Sequence, residues 1–201
     1  MKKPLILTLG ALLGIAVVAV AFLPSLRGHQ QKDLDDYGSA PSFKLTERAG
    51  YLVDSERLKG EVWVAGFVFT RCAGQCPMIS AQMERLQKKL HAQPRFQLIS
   101  ITVDADYDTP QRLATYAKKW EADPKRWWFL TGDAKEIHDL IEKGFHLSAG
   151  TPAPGGDLIH TAKLVLVDPN GEIRGYYDGL DSNSVDELAR DARQLLREAK
   201  G

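Results

Sequence analysis

The chain has 201 residues, 44% of them hydrophobic, and its 26 basic side chains balance its 26 acidic ones. That length suits one ordinary domain with a real core plus a short appendage. A chain without net charge has no field to recruit nucleic acid or an anionic lipid surface, so nucleic acid is excluded as a partner.

At the N-terminus, Lys2 and Lys3 precede an apolar run from Leu5 to Leu23, broken only by Thr8, Gly10 and Gly14 and stopped by Pro24. At a helical rise of about 1.5 Å per residue the run reaches about 28 Å, enough to cross a hydrocarbon core. With the positive charges in front, the domain that follows faces away from the cytoplasm. Residues 1–24 therefore read as a single-pass membrane helix. A removed signal peptide, cut near Ala19-Val20-Ala21, is the alternative, and the domain is exported either way. Residues 25–41, polar and carrying Gly38 and Pro41, read as a tether, and residues 42–201 as the domain.

Val62–Phe69 is an apolar run rich in β-branched and aromatic residues, which predicts a buried strand. Pro77–Leu90 carries Met78, Ile79, Met83, Leu86 and Leu90 at helical spacing, with Pro77 suited to a first turn. Phe96–Val103 predicts a second strand. Asp108-Thr109-Pro110 signals a helix start, with Asp108 read as the cap and Thr109 as the alternative, opening a helix to about Trp120. Trp127–Leu130 predicts a strand and Ala134–Lys143 a helix, followed by a Gly/Pro-rich loop from Ser148 to Gly156. Ala162–Val167 and Ile173–Tyr177 predict a hairpin turned at Asp168-Pro169-Asn170-Gly171, and Ser184–Ala199 a last amphipathic helix. Strands alternating with helices, then a hairpin and a closing helix, predict an α/β domain. With a dithiol at a strand-to-helix junction, this order is that of a thioredoxin-like fold, a central mixed sheet flanked by helices.

The only two cysteines are Cys72 and Cys76. In an exported domain the plain expectation is a structural disulfide. A bridge closing so short a loop constrains little of the unfolded chain, so chemistry explains the pair better. Phe69-Thr70-Arg71-Cys72-Ala73-Gly74-Gln75-Cys76-Pro77 sets both thiols at a helix N-terminus beside Arg71, and both features favour thiolate. An i,i+4 separation at a helical turn brings the sulfurs together, close enough to share one metal ion or to form a reversible disulfide. Such a site needs a third donor. Of the five histidines, His29 lies in the tether, and His91 and His138 read as surface or packing residues. His146 is a second choice. His160, just before the Ala162–Val167 strand, is the favoured ligand, since the segment entering that strand of a thioredoxin fold packs beside the dithiol. Two thiolates and one imidazole suit copper better than zinc, which prefers a closed four-ligand site. Met78 is a soft alternative donor, but its place in the apolar stripe predicts core packing.

FTRCAGQCP, VDADYDTP, WWFLTG and HTAKLVLVDPNGEIRGYYDG, in that order, resemble the successive motifs of the Sco/SenC family over roughly Ser42 to Leu196. The resemblance implies a thioredoxin fold held by one N-terminal helix, here in a bacterial plasma membrane with the domain facing the periplasm. It also implies one copper ion, as Cu(I) or Cu(II), on Cys72, Cys76 and His160. Its implied role is a non-enzymatic metallochaperone serving the binuclear copper site of cytochrome c oxidase subunit II, with another copper chaperone as a further partner. The chain departs from the family pattern in Ala73, where many relatives have Pro, and in Ile159, where many have Asp; Asp157 is the nearest substitute carboxylate. The short loop before His160 carries no partner recognition over from the family. Asp104 and Asp108 match family acids, with Asp104 expected near the site but not as a ligand. The rival readings are an exported thiol-disulfide oxidoreductase, a thiol peroxidase using Thr70 and Arg71, and a copper sensor.

Overall fold

The computed structural model describes residues 33–148 and 161–199. These form a seven-stranded mixed sheet of β1 (Lys44–Glu47), β2 (Leu52–Asp54), β3 (Val62–Val68), β4 (Phe96–Thr102), β5 (Trp127–Thr131), β6 (Lys163–Val167) and β7 (Ile173–Asp178), in the order β2-β1-β5-β4-β3-β6-β7. At its centre β3 (Val62–Val68), β4 (Phe96–Thr102) and β5 (Trp127–Thr131) run parallel. Each is buried along its whole length, as parallel strands covered on both faces must be. Alternate side chains serve alternate faces. Val62, Val64, Leu98 and Phe129 join one core cluster, and Trp63, Ala65, Ile99 and Trp128 the other.

Helices cover both faces. α1 (Gln75–Lys89) presents Ile79, Met83 and Leu86 to the first cluster, beside Leu113 and Tyr116 of α2 (Pro110–Lys119) and Val185 and Leu188 of α4 (Ser182–Glu198). α3 (Ala134–Asp139) and the π turn that continues it, Leu140–Gly144, supply Ile137, Leu140 and Ile141 to the second. Each such side chain, fully buried, contributes about 1.5–3 kcal/mol. β6 (Lys163–Val167) and β7 (Ile173–Asp178) form the expected antiparallel hairpin, and β6 joins it to the sheet by pairing antiparallel with β3. Its turn is closed by Asp168 Oδ1, which accepts from the N–H groups of Asn170 and Glu172, with Gly171 at φ +86°.

Two departures from the sequence reading concern the start of the domain. β1 (Lys44–Glu47) and β2 (Leu52–Asp54) form an unforeseen antiparallel hairpin that adds to β5. Tyr37 and Ala40, expected in the tether, donate to the carbonyls of Ile173 and Gly171, and Leu34 reaches the core. The compact unit thus opens at Leu34, ahead of Ser42. The membrane helix read over residues 1–24 lies outside the described residues. Among those described, no helix is long and apolar enough to cross a membrane.

Candidate metal centre

The chain leaves β3 at Val68 and turns before entering α1. Cys72 N–H donates to the Phe69 carbonyl at 3.3 Å. Gly74 is the N-cap of α1 and has no side chain to cap it, so the first-turn N–H groups need other acceptors. Cys72 Sγ is one of them, accepting from Cys76 N–H at 3.4 Å. Cys76 Sγ accepts in turn from Phe69 N–H at 3.4 Å. The pair is a dithiol here, not a disulfide, with Cys72 partly exposed and Cys76 buried. Helix α1 starts at Gln75 rather than Pro77, so Cys76 lies inside its first turn and Cys72 before it.

Burial pushes the Cys76 thiol far above its ordinary value, and its hydrogen bond with Cys72 adds to the effect against the opposing Phe69 N–H. The expectation that helix end and Arg71 favour thiolate at both sulfurs is corrected for Cys76. Nor is the Arg71 charge spent on sulfur. Its guanidinium grips Asp104 through Nε at 2.5 Å and Nη2 at 3.2 Å. Asp104 is therefore near the site, as expected, in the role of an ion-pair partner.

Asp108 is not the helix cap. Thr109 caps α2, its side chain accepting from Arg112 N–H. Asp108 is wholly buried and accepts three hydrogen bonds, from Thr70 N–H at 3.0 Å, Thr70 Oγ1 at 2.5 Å and Thr102 Oγ1 at 2.6 Å. It ties the exit of β3 to the end of β4 two residues before Cys72. Sequence reasoning missed this clamp. Its signal was a threonine closing each of two apolar strands. Ser80 on α1 and Tyr116 on α2 share a second buried hydrogen bond at 2.8 Å.

Met78 is 54% exposed, not packed in the core. His91, His138 and His146 are all exposed. His91 Nδ1 sits 2.9 Å from the Lys88 carbonyl, His138 pairs with Glu142, and His146 has φ +53°. His29, His160, Asp157 and Ile159 lie outside the described residues, among which no three metal-ligating side chains gather. What those residues supply is two neighbouring soft sulfurs at the surface end of a helix, a donor set that fits copper.

A dithiol between a central parallel strand and the N-terminus of the helix that follows, on a mixed sheet with helices on both faces, defines a thioredoxin-like dithiol protein. The SCO1/SenC family model matches residues 31–197, and the chain belongs to that family. It is 35% identical over 174 residues to the SCO1 protein homolog of Bacillus subtilis, covering 86% of this chain and 90% of the relative. The solved structure of BsSco, in which a disulfide switch was identified and which is described as a member of the Sco family of cytochrome c oxidase assembly proteins, is similar at TM-score 0.74 and 33% identity. The match covers 84% of this chain and 99% of that one. Copper-bound ScoI of Bradyrhizobium japonicum is similar at TM-score 0.66 and 25% identity, over 78% of this chain and 99% of the other.

Proposed function

We propose that this protein is a copper metallochaperone, not an enzyme, binding one copper ion through Cys72, Cys76 and His160 and delivering it to the binuclear copper site of cytochrome c oxidase subunit II. The observation that carries the reading is the sulfur pair itself, one thiol buried and one partly exposed across the first turn of α1. A buried thiol that resists ionisation is a poor nucleophile, but a metal cation can replace its proton and supply the missing charge. Cys72 then presents the ion to a partner. His160 is two residues from Ala162, which packs against the cluster that holds Cys76 and Ile79, so chain connectivity favours it over the exposed histidines. The copper-bound relative and the oxidase-assembly description of another support the cargo and the destination. Residues 1–24 anchor the protein in a bacterial plasma membrane with this domain on the periplasmic side, where a second copper chaperone loads it.

The competing reading is a thiol-disulfide oxidoreductase that reduces the acceptor's cysteines, favoured by the unbridged dithiol and by the disulfide switch of a relative. His160→Ala separates the two. On the delivery reading the variant keeps two thiolates that still hold Cu(I), but loses the thiolate-to-Cu(II) absorption and oxidase assembly, while disulfide exchange with a small dithiol survives. Normal oxidase assembly by the variant overturns delivery through His160. In His146→Ala the copper spectrum stays unchanged.

A further inference from the structure

A groove of about 310 Å³ lies between α2 and the segment that leads to the dithiol. Thr70, two residues before Cys72, forms one wall, and Tyr107, Arg112, Thr115 and Lys119 form the other. Tyr116, bonded to Ser80 of α1, closes it from within. The cationic groups of this groove are unspent. Arg112 stacks over the Tyr107 ring at 3.8 Å and donates to the Tyr107 carbonyl, contacts that fix its plane without neutralising its charge. Neither Arg112 nor Lys119 forms an ion pair among the described residues. Arg71 lies 4.6 Å from the same ring, with its charge already met by Asp104. The carboxylates at hand are committed elsewhere, Asp104 to Arg71 and Asp108 to the two threonines, and Asp106 does not line the groove.

We propose that this groove docks an acidic segment of the copper acceptor, with Arg112 and Lys119 as its anchors, so that the acceptor's metal site meets Cys72. The proposal rests on the delivery reading for its partner and on charge complementarity for its chemistry. The Arg112 guanidinium, held in place by Tyr107, and the Lys119 ammonium in the same groove select a carboxylate-bearing surface and speed its arrival. They contribute less to the lifetime of the complex, because exposed charges act mainly on association.

The test uses the full-length chain in detergent, the purified copper-free copper-centre domain of oxidase subunit II, and the double variant R112E/K119E. Calorimetry with the copper-free chain reads docking, and stopped-flow transfer of Cu(I) reads delivery. Docking predicts a second-order rate about tenfold lower in the variant at low salt, with a flatter salt dependence. The neutral pair Arg112→Gln, Lys119→Gln should fall between, and the copper spectrum of each variant should match the parent. Parental binding and salt dependence in R112E/K119E overturn the proposal, as does an acceptor that does not bind the parent at all. Charge-sensitive binding without copper transfer leaves docking standing and sinks delivery. A variant that binds the acceptor normally but no longer binds phosphatidylglycerol vesicles shows a lipid contact instead, and also overturns it.

Discussion

The Cys72 sulfur accepts the Cys76 backbone N–H at 3.4 Å, so the first thiol caps the helix whose first turn holds the second. This one contact gives the two cysteines different chemistry. Cys72 sits where the helix end offers positive potential to sulfur. Cys76 is sunk behind it, where burial holds the proton on. A shared ion would have to enter past Cys72 and displace the proton of Cys76.

Alkylation should show that asymmetry. With iodoacetamide at neutral pH, Cys72 is expected to react first and Cys76 only slowly, as read by mass spectrometry of the digest. Equal rates would contradict the burial. The same proton makes stability depend on pH. Because the folded pKa of Cys76 is raised above the ordinary 9.0, its contribution is fully present below pH 9 and is lost as pH rises beyond it, where the unfolded chain ionises and the folded chain does not. Denaturant midpoints of the reduced protein should therefore fall more steeply above pH 9 than those of Cys76→Ser.

Oxidation to a Cys72–Cys76 disulfide should abolish copper uptake, since both donors are consumed. Anaerobic titration of reduced and oxidised protein checks this, and equal stoichiometry would remove the sulfurs as ligands. The loop closed is so short that reduction should lower the thermal midpoint by only a few degrees, in keeping with a loss of about 1–2 kcal/mol.

The core strands and the dithiol junction were legible because each rests on a one-dimensional signal. Val62–Val68 is apolar without interruption, and a CxxxC between such a run and a helical stripe has one place to go. β1 was hidden because Glu47, on its buried side, replaces the apolar residue that alternation requires. Glu47 is 2% exposed, and its carboxylate is met by Ala49 N–H and the Arg48 guanidinium. Met78 misled because it stands beside Ile79 in a stripe whose true phase is Ile79, Met83, Leu86. Asp108 misled for a different reason. Asp-Thr-Pro reads the same whether its acid caps a helix or turns inward to bind two threonines, and only the tertiary neighbours decide.

Asp108→Ala should destabilise the fold by about 3 kcal/mol, because it leaves the buried Thr102 hydroxyl and the half-buried Thr70 groups without their acceptor. Thr70→Val should cost less on its own, and the double variant less than the sum, since the two share one interaction. Urea midpoints measure both. Additive losses would show that the clamp seen between β3 and β4 carries no coupling energy.

Gly179 is where fold and metal site should be separable. Its N–H donates to the Ala162 carbonyl at 2.9 Å, and a Cβ there would stand 2.7 Å from that oxygen and 3.5 Å from Ile79 Cγ1. Gly179→Ala must therefore push the entry of β6 away from α1, at a cost of about 1–3 kcal/mol. Gly171→Ala, at the opposite end of the same hairpin, meets no atom within 4 Å but is strained by its φ of +86°, and should cost about 1 kcal/mol or somewhat more. If the chain entering β6 brings His160 to the sulfurs, Gly179→Ala should weaken Cu(II) binding at least severalfold and alter its thiolate-to-metal absorption, while Gly171→Ala leaves both unchanged. Competition titration against a chelator of known affinity measures the difference, with circular dichroism confirming that each variant is folded. Unaltered copper affinity in a folded Gly179→Ala protein would show that the β6 entry does not deliver a ligand, and the search for the third donor would have to move elsewhere in the chain.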